Sequence, residues 1–192
     1  MSKWILLLLL LGATLYVIYR YYPQVLEKFK AMPQMNEMKT DTTSKKDLVT
    51  MLNKALADEW LAYYQYWIGA KVVKGPLAEK IVSELMEHAK EEYDHAGMLA
   101  KRIIELGGTP LLHPKDWFVQ ATCGFLTPNN PESKVILDQN IQGEVCAVNA
   151  YKEIIAITPQ EDTVTHEMLA KILADEEKHI KDLNELVDEV KK

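Results

Sequence analysis

The sequence predicts an all-α protein: a four-helix bundle with one long crossover, preceded by an N-terminal hydrophobic helix. Three observations carry that expectation. No strand-type alternation occurs after residue 44, and the rest of the chain divides into four segments with helical apolar periodicity. Between the second and third lies a long irregular stretch, and connections beyond about 12–15 residues are uncommon in compact domains. Two helices, a crossover and two more helices form a recognised bundle topology.

Residues 4–19 carry no charge and include the run ILLLLLL at 5–11, between Lys3 and Arg20. This is slightly short of the roughly 20 residues of a membrane span. Tyr21 and Tyr22 extend it, and with Tyr16 and Tyr19 they resemble an interfacial aromatic belt. The bulky stretch YVIYRYYP at 16–23 offers no small-residue cleavage site. Residues 1–30 are therefore expected to form a membrane anchor through residues 4–22. Arg20, Lys28 and Lys30 against Lys3 and the amino terminus favour a main domain on the cytoplasmic side. A cytoplasmic soluble assembly is the alternative.

Residues 31–44 are polar and aperiodic, and read as a linker to a bundle over 45–192. The first bundle helix is expected from near Ser44, where Ser44 and Asp47 match a capping box, to Gly75-Pro76. The second runs from there to Gly107-Gly108. Residues 109–130, with Pro110, Pro114, Pro128 and Asn129-Asn130, form the crossover. Pro131 suits the first turn of a third helix ending near Ile157. Thr158-Pro159-Gln160-Glu161 reads as cap, first-turn proline and capping box of the fourth.

The 192 residues carry a net charge of −6, which argues against a nucleic-acid partner. Cys123 and Cys146 are too few for a disulfide scaffold, and neither belongs to a CxxC motif.

Each helix interrupts its apolar stripe with a carboxylate. The stripes contain Ala55, Glu59, Ala62 and Tyr66; then Leu85, His88, Glu92, His95 and Leu99; then Ile141, Glu144, Val148 and Tyr151; then Ile172, Glu176, His179 and Leu183. The second and fourth helices add a histidine three residues on, as 92-EYDH-95 and 176-EEKH-179. Glu59 to Glu92 is 33 residues and Glu144 to Glu176 is 32, so the halves repeat. Four inward glutamates would repel in a low-dielectric interior unless protonated or neutralised. Two divalent cations neutralise four carboxylates, and the Glu/His mixture suits iron, manganese or zinc. Such a set is the two-metal carboxylate arrangement of helical bundles. His88, near the bundle end, reads as a packing or supporting residue, and Glu91, Asp94 and Glu177 as solvated faces.

The segments 58-DEWLAYYQYW-67, 91-EEYDHAGMLAKRI-103, 139-QNIQGEVCAVNAYKEI-154 and 172-ILADEEKHIKDL-183 resemble the helices of bacterioferritin-type ferroxidases, within the ferritin-like superfamily. The resemblance spans about residues 45–190 and leaves the apolar N-terminus unmatched. It implies two iron ions per chain, with Glu59 and Glu144 as terminal ligands, Glu92 and Glu176 as bridges, and His95 and His179 completing the set. Tyr66 falls where that family keeps a tyrosine beside the metals. Haem-binding members carry a methionine where Tyr93 stands, so no haem is expected. Cys123 and Cys146 resemble the cysteine pair of the Dps-like thioferritins, which implies a reversible pair able to store or supply electrons near the irons.

The resemblance implies oxidation of Fe(II) by hydrogen peroxide or dioxygen, serving iron storage and protection from oxidative stress, in a cage-like homo-oligomer. A membrane-tethered rubrerythrin-like peroxidase that stores no mineral is the second expectation, weakened by the absent CxxC motifs. A non-enzymatic anchored helical scaffold is the third, and it leaves the four converging glutamates unexplained.

Overall fold

The computed structural model describes the chain from Met35 to Lys192, with side chains from Lys45 onward. The anchor expected through residues 4–22 lies outside the described residues. Four long helices dominate: α1 (Met35–Val72), α2 (Ala78–Glu105), α3 (Ser133–Ile157) and α4 (Thr163–Val190). The crossover between α2 and α3 contains a 3-10 turn, Pro114–Asp116, running into one helical turn, Trp117–Gln120. The compact bundle unit begins at Ser44. Among the described residues, no helix is long and apolar enough to cross a membrane.

Three helix starts differ from the sequence expectation. α1 begins at Met35, so residues 35–44, read as linker, are helical and Ser44 lies inside the helix. Methionine, glutamate and lysine permit helix there, although no apolar period announces it. α3 starts at Ser133 behind Glu132, leaving Pro131 outside the first turn. Thr158 closes α3 rather than opening α4: its Oγ1 donates to the Ile154 carbonyl at 2.8 Å. The cap of α4 is Asp162, whose carboxylate accepts from the Thr165 backbone N–H at 3.1 Å.

α2 closes as expected. Gly107 takes φ 78°, and the N–H groups of Gly107 and Gly108 reach back to the carbonyls of Ile104 and Ile103. Gly108 also allows a close approach, since a Cβ there would lie 2.6 Å from Val49 Cγ1. The crossover then returns to the end where α2 began. Lys74 and Ser133 pair backbone to backbone across the α1–α2 turn, and Ser133 Oγ donates to the Pro76 carbonyl at 2.7 Å.

The crossover is held to α1 by two buried side chains. Asp58 accepts from the backbone N–H groups of Thr122 and Cys123 at 3.1 and 2.7 Å. Gln65 Oε1 accepts from Leu126 N–H at 2.8 Å.

The apolar core comes in two blocks. One gathers Leu52, Leu56, Leu99, Ile103, Ile154 and Leu169; the other gathers Ile81, Leu85, Ile136, Leu137, Leu183 and Leu186. On every helix the inward glutamate falls between the residues of one block and those of the other. The polar layer thus divides the core at mid-height.

Candidate metal centre

α1 and α3 each contribute one glutamate to this layer, and α2 and α4 each contribute a Glu-x-x-His pair, whose three-residue step keeps both groups on one helix face. Glu59, Glu92, Glu144, Glu176, His95 and His179 are at most 3 % exposed. Their ligand atoms form two groups, Glu59–Glu92–His95–Glu176 and Glu92–Glu144–Glu176–His179, each with all donors within 4.8 Å of one another. Glu92 and Glu176 belong to both.

The histidines point the same way in each half. His95 Nδ1 lies 3.1 Å from Glu176, 3.2 Å from Glu92 and 3.5 Å from Glu59. His179 Nδ1 lies 3.3 Å from Glu92, 3.3 Å from Glu176 and 3.6 Å from Glu144. Each outer nitrogen meets a carboxylate from the opposite half: His95 Nε2 with Asp175 at 3.1 Å, and His179 Nε2 with Glu91 at 2.7 Å. Those contacts favour the Nε2–H tautomer and leave the Nδ1 lone pair facing the glutamates.

Glu91 therefore departs from the sequence expectation of a solvated face. It supports His179, whereas Asp94 and Glu177 are exposed and pair with Lys90 and Lys152. Asp175 was not singled out by sequence reasoning. The signal was available in the aligned stretches 91-EEYDH-95 and 175-DEEKH-179, which carry an acid just before each inward glutamate.

Two tyrosines complete the arrangement, again across the halves. Tyr66 donates to Glu144, and Tyr151 donates to Glu59. Tyr66 was expected here; Tyr151 appeared in the sequence only as part of an apolar stripe. Yet it follows Glu144 by seven residues, as Tyr66 follows Glu59. Burial first, then the facing glutamate, pushes both phenols well up and keeps them as hydrogen-bond donors.

The buried charges of the layer act strongly on one another. Burial, then repulsion from Glu176 and Glu92, pushes Glu59 and Glu144 well up. Burial would also raise Glu92, but hydrogen bonds with His179 and His95 hold it well below the usual range. Burial works to lower both histidines, and contacts with the surrounding glutamates overcome it and raise them. Glu59 Oε2, Glu92 Oε1, Glu176 Oε1 and His179 Nδ1 still have no hydrogen-bond partner. Buried polar atoms are nearly always satisfied, so this donor set fits a pair of divalent cations.

A cavity of about 190 Å³ opens against the layer, lined by Glu59, Glu144, Glu176, Gly143, Cys123 and Cys146. The two cysteines, from the crossover and α3, are joined in a disulfide. On the far side, His88 is buried and stacks on His179 with ring centroids 4.0 Å apart. Burial, and then His179, pushes its imidazole down to about 3. Tyr93 is 56 % exposed and packs edge-on against Trp60.

Comparison with known proteins gives the family and the fold. The family described as ferritin-like domain matches residues 49–192. The chain belongs to the ferritin-like family. Among ferritin-like relatives, a DNA protection during starvation protein of Pyrococcus furiosus is 32 % identical over 152 residues, covering 77 % of this chain and 82 % of its own length. A bacterioferritin of Brucella melitensis is 30 % identical, covering 73 % of this chain and 83 % of its own. Among solved structures, a Bacteroides fragilis protein described as a dodecameric, bacterioferritin-related thioferritin aligns with TM-score 0.75 and 44 % identity, over 76 % of this chain and 87 % of that one. Dps from Thermosynechococcus elongatus aligns with TM-score 0.73 at 22 % identity, over 76 % of this chain and 93 % of that one, a likeness of fold.

Proposed function

We propose that this ferritin-like protein oxidises Fe(II) in pairs, for iron storage and protection against oxidative damage. The observation behind this is the pair of four-donor groups that share Glu92 and Glu176, with unsatisfied oxygens facing inward. Fe(II) is the substrate. Two ferrous ions give up two electrons, and one hydrogen peroxide takes them with two protons and leaves as two waters. Dioxygen accepting the same two electrons and two protons leaves as peroxide.

The chain's own groups prepare that exchange. Glu92 and Glu176, common to both donor groups, would hold the two cations together, while Glu59 with His95, and Glu144 with His179, would each complete one side. Asp175 and Glu91 fix the imidazole rings, and Tyr151 and Tyr66 fix the outer glutamates. The cavity beside Glu59 and Glu144 is the place for the oxidant. Manganese or zinc fits the same donors without the redox step.

The disulfide borders that cavity, which supports a thioferritin-like role. Its reduced dithiol would give two electrons and two protons to one peroxide, reforming the S–S bond and releasing two waters. Thiol counting after aerobic peroxide treatment tests this; two free thiols would refute it. Assembly into a homo-oligomeric cage is supported by the likeness to the dodecameric Bacteroides protein. The apolar stretch 4–22 supports attachment to a membrane, which flotation with phospholipid vesicles tests.

The deciding experiment is anaerobic Fe(II) titration followed by peroxide, read by absorbance and particle sizing. The paired groups should bind two Fe(II) per chain and oxidise them with about half a peroxide each, and excess iron should build a mineral. Failure to bind Fe(II) refutes the proposal. Oxidation that stops at the bound pair points instead to the rubrerythrin-like peroxidase.

A further inference from the structure

We propose that Glu84, His88 and Asp182 form a third divalent-cation site, beside the shared-carboxylate pair and open to solvent. The three come from two helices, His88 one turn after Glu84 on α2 and Asp182 on α4, and their ligand atoms lie within 4.8 Å of one another. His88 is fully buried, and neither ring nitrogen makes a hydrogen bond. Its Nε2 nevertheless lies 3.2 Å from Glu84 Oε1, close to the oxygen but not aligned with it. A buried imidazole is ordinarily given a partner. Here a buried imidazole without a hydrogen bond sits with two carboxylates whose oxygens lie within 4.8 Å of its ring nitrogen, a grouping that a cation could share.

Two carboxylate oxygens and one imidazole suit a borderline divalent ion such as Fe(II), Co(II) or Zn(II). Glu84 and Asp182 side chains are 27 % and 24 % exposed, so water can fill the remaining positions. One competitor is present. Lys178 Nζ sits 3.3 Å from Asp182, with a half-exposed side chain free to swing outward. Lys80 is engaged elsewhere, 2.7 Å from Glu189. His88 also forms a group with Glu91 and His179, so the site borders the groups that support the pair.

Anaerobic titration of the full-length, metal-free protein with Co(II), followed by its visible ligand-field spectrum, tests this. The parent chain should take up three Co(II), and Glu84→Gln/Asp182→Asn, altered only at part-exposed positions, should take up two. Lys178→Met should tighten the third binding step several-fold. Anomalous diffraction at the cobalt edge should place a peak among the three side chains. Two Co(II) in both proteins, or three in both, overturns the proposal while leaving the pair intact. A single Co(II), lost in Glu84→Gln/Asp182→Asn, would support this site and refute the pair. Glu92→Gln/Glu176→Gln should conversely lose two and retain one.

Discussion

Tyr151 and Tyr66 each reach across the bundle to the outer glutamate of the other half. A hydrogen bond to a charged group contributes about 1.5–3 kcal/mol. Tyr151→Phe should therefore weaken Fe(II) binding on the Glu59 side by roughly 10–100-fold, and Tyr66→Phe should do the same beside Glu144. Stepwise anaerobic titration separates the two, because each variant should alter a different step. Glu91→Ala and Asp175→Ala release a ring nitrogen instead and should lower metal affinity by roughly 10–100-fold. An unchanged affinity would mean that the acids are only surface charge. The six inward donors were legible in the sequence because each sits in phase with an apolar stripe. Glu91 and Asp175 were not, because they lie about 100° around the helix from that stripe. Only the approach of the opposite helix turns them to the site.

At the level of the helices, stripes and breaks were legible, while the caps were misassigned. Thr158-Pro159-Gln160-Glu161 has a capping sequence, yet Thr158 closes the preceding helix and Asp162 opens the next. What decides is tertiary: Asp162 also receives Arg102 from α2 at 2.6 Å, and Arg102 Nε donates to Thr165 Oγ1 at 2.7 Å. Asp162→Ala should cost about 1–2 kcal/mol, measured by denaturant unfolding. Burial would raise the Asp162 carboxyl, but Thr165 and then Arg102 hold it below its ordinary value. Its stabilisation is thus present above the unfolded-state value and lost as pH falls through the lowered one. The parent and the Ala variant should converge in stability in strong acid. Asp58, likewise, is an acid on the outer side of α1 that sequence reasoning passed over. By gripping Thr122 and Cys123 it sets the crossover beside α3. Asp58→Asn should slow re-formation of the Cys123–Cys146 bond after reduction, read by thiol trapping. An equal rate would show that the crossover positions itself.

For the whole molecule, the balance of charge across the mid-height layer governs stability. A ligand that binds only the folded state at about 100 times its Kd adds about 2.7 kcal/mol. Metal loading should therefore raise Tm by several degrees, and changing Glu59, Glu92, Glu144 and Glu176 together to glutamine should abolish the increase. The metal-free variant should unfold no earlier than the metal-free parent, since its buried repulsion is gone. Bundle topology and crossover were legible because helical period and proline content are local properties.

The crossing contacts carry a last consequence. Neither helical hairpin owns a finished cation position: the first lends Glu92 to the second, and the second lends Glu176 to the first. Severed into two separately made pieces within the crossover, the protein should behave as a lock in two parts, which stay loosely associated until ferrous or zinc ions rivet them together.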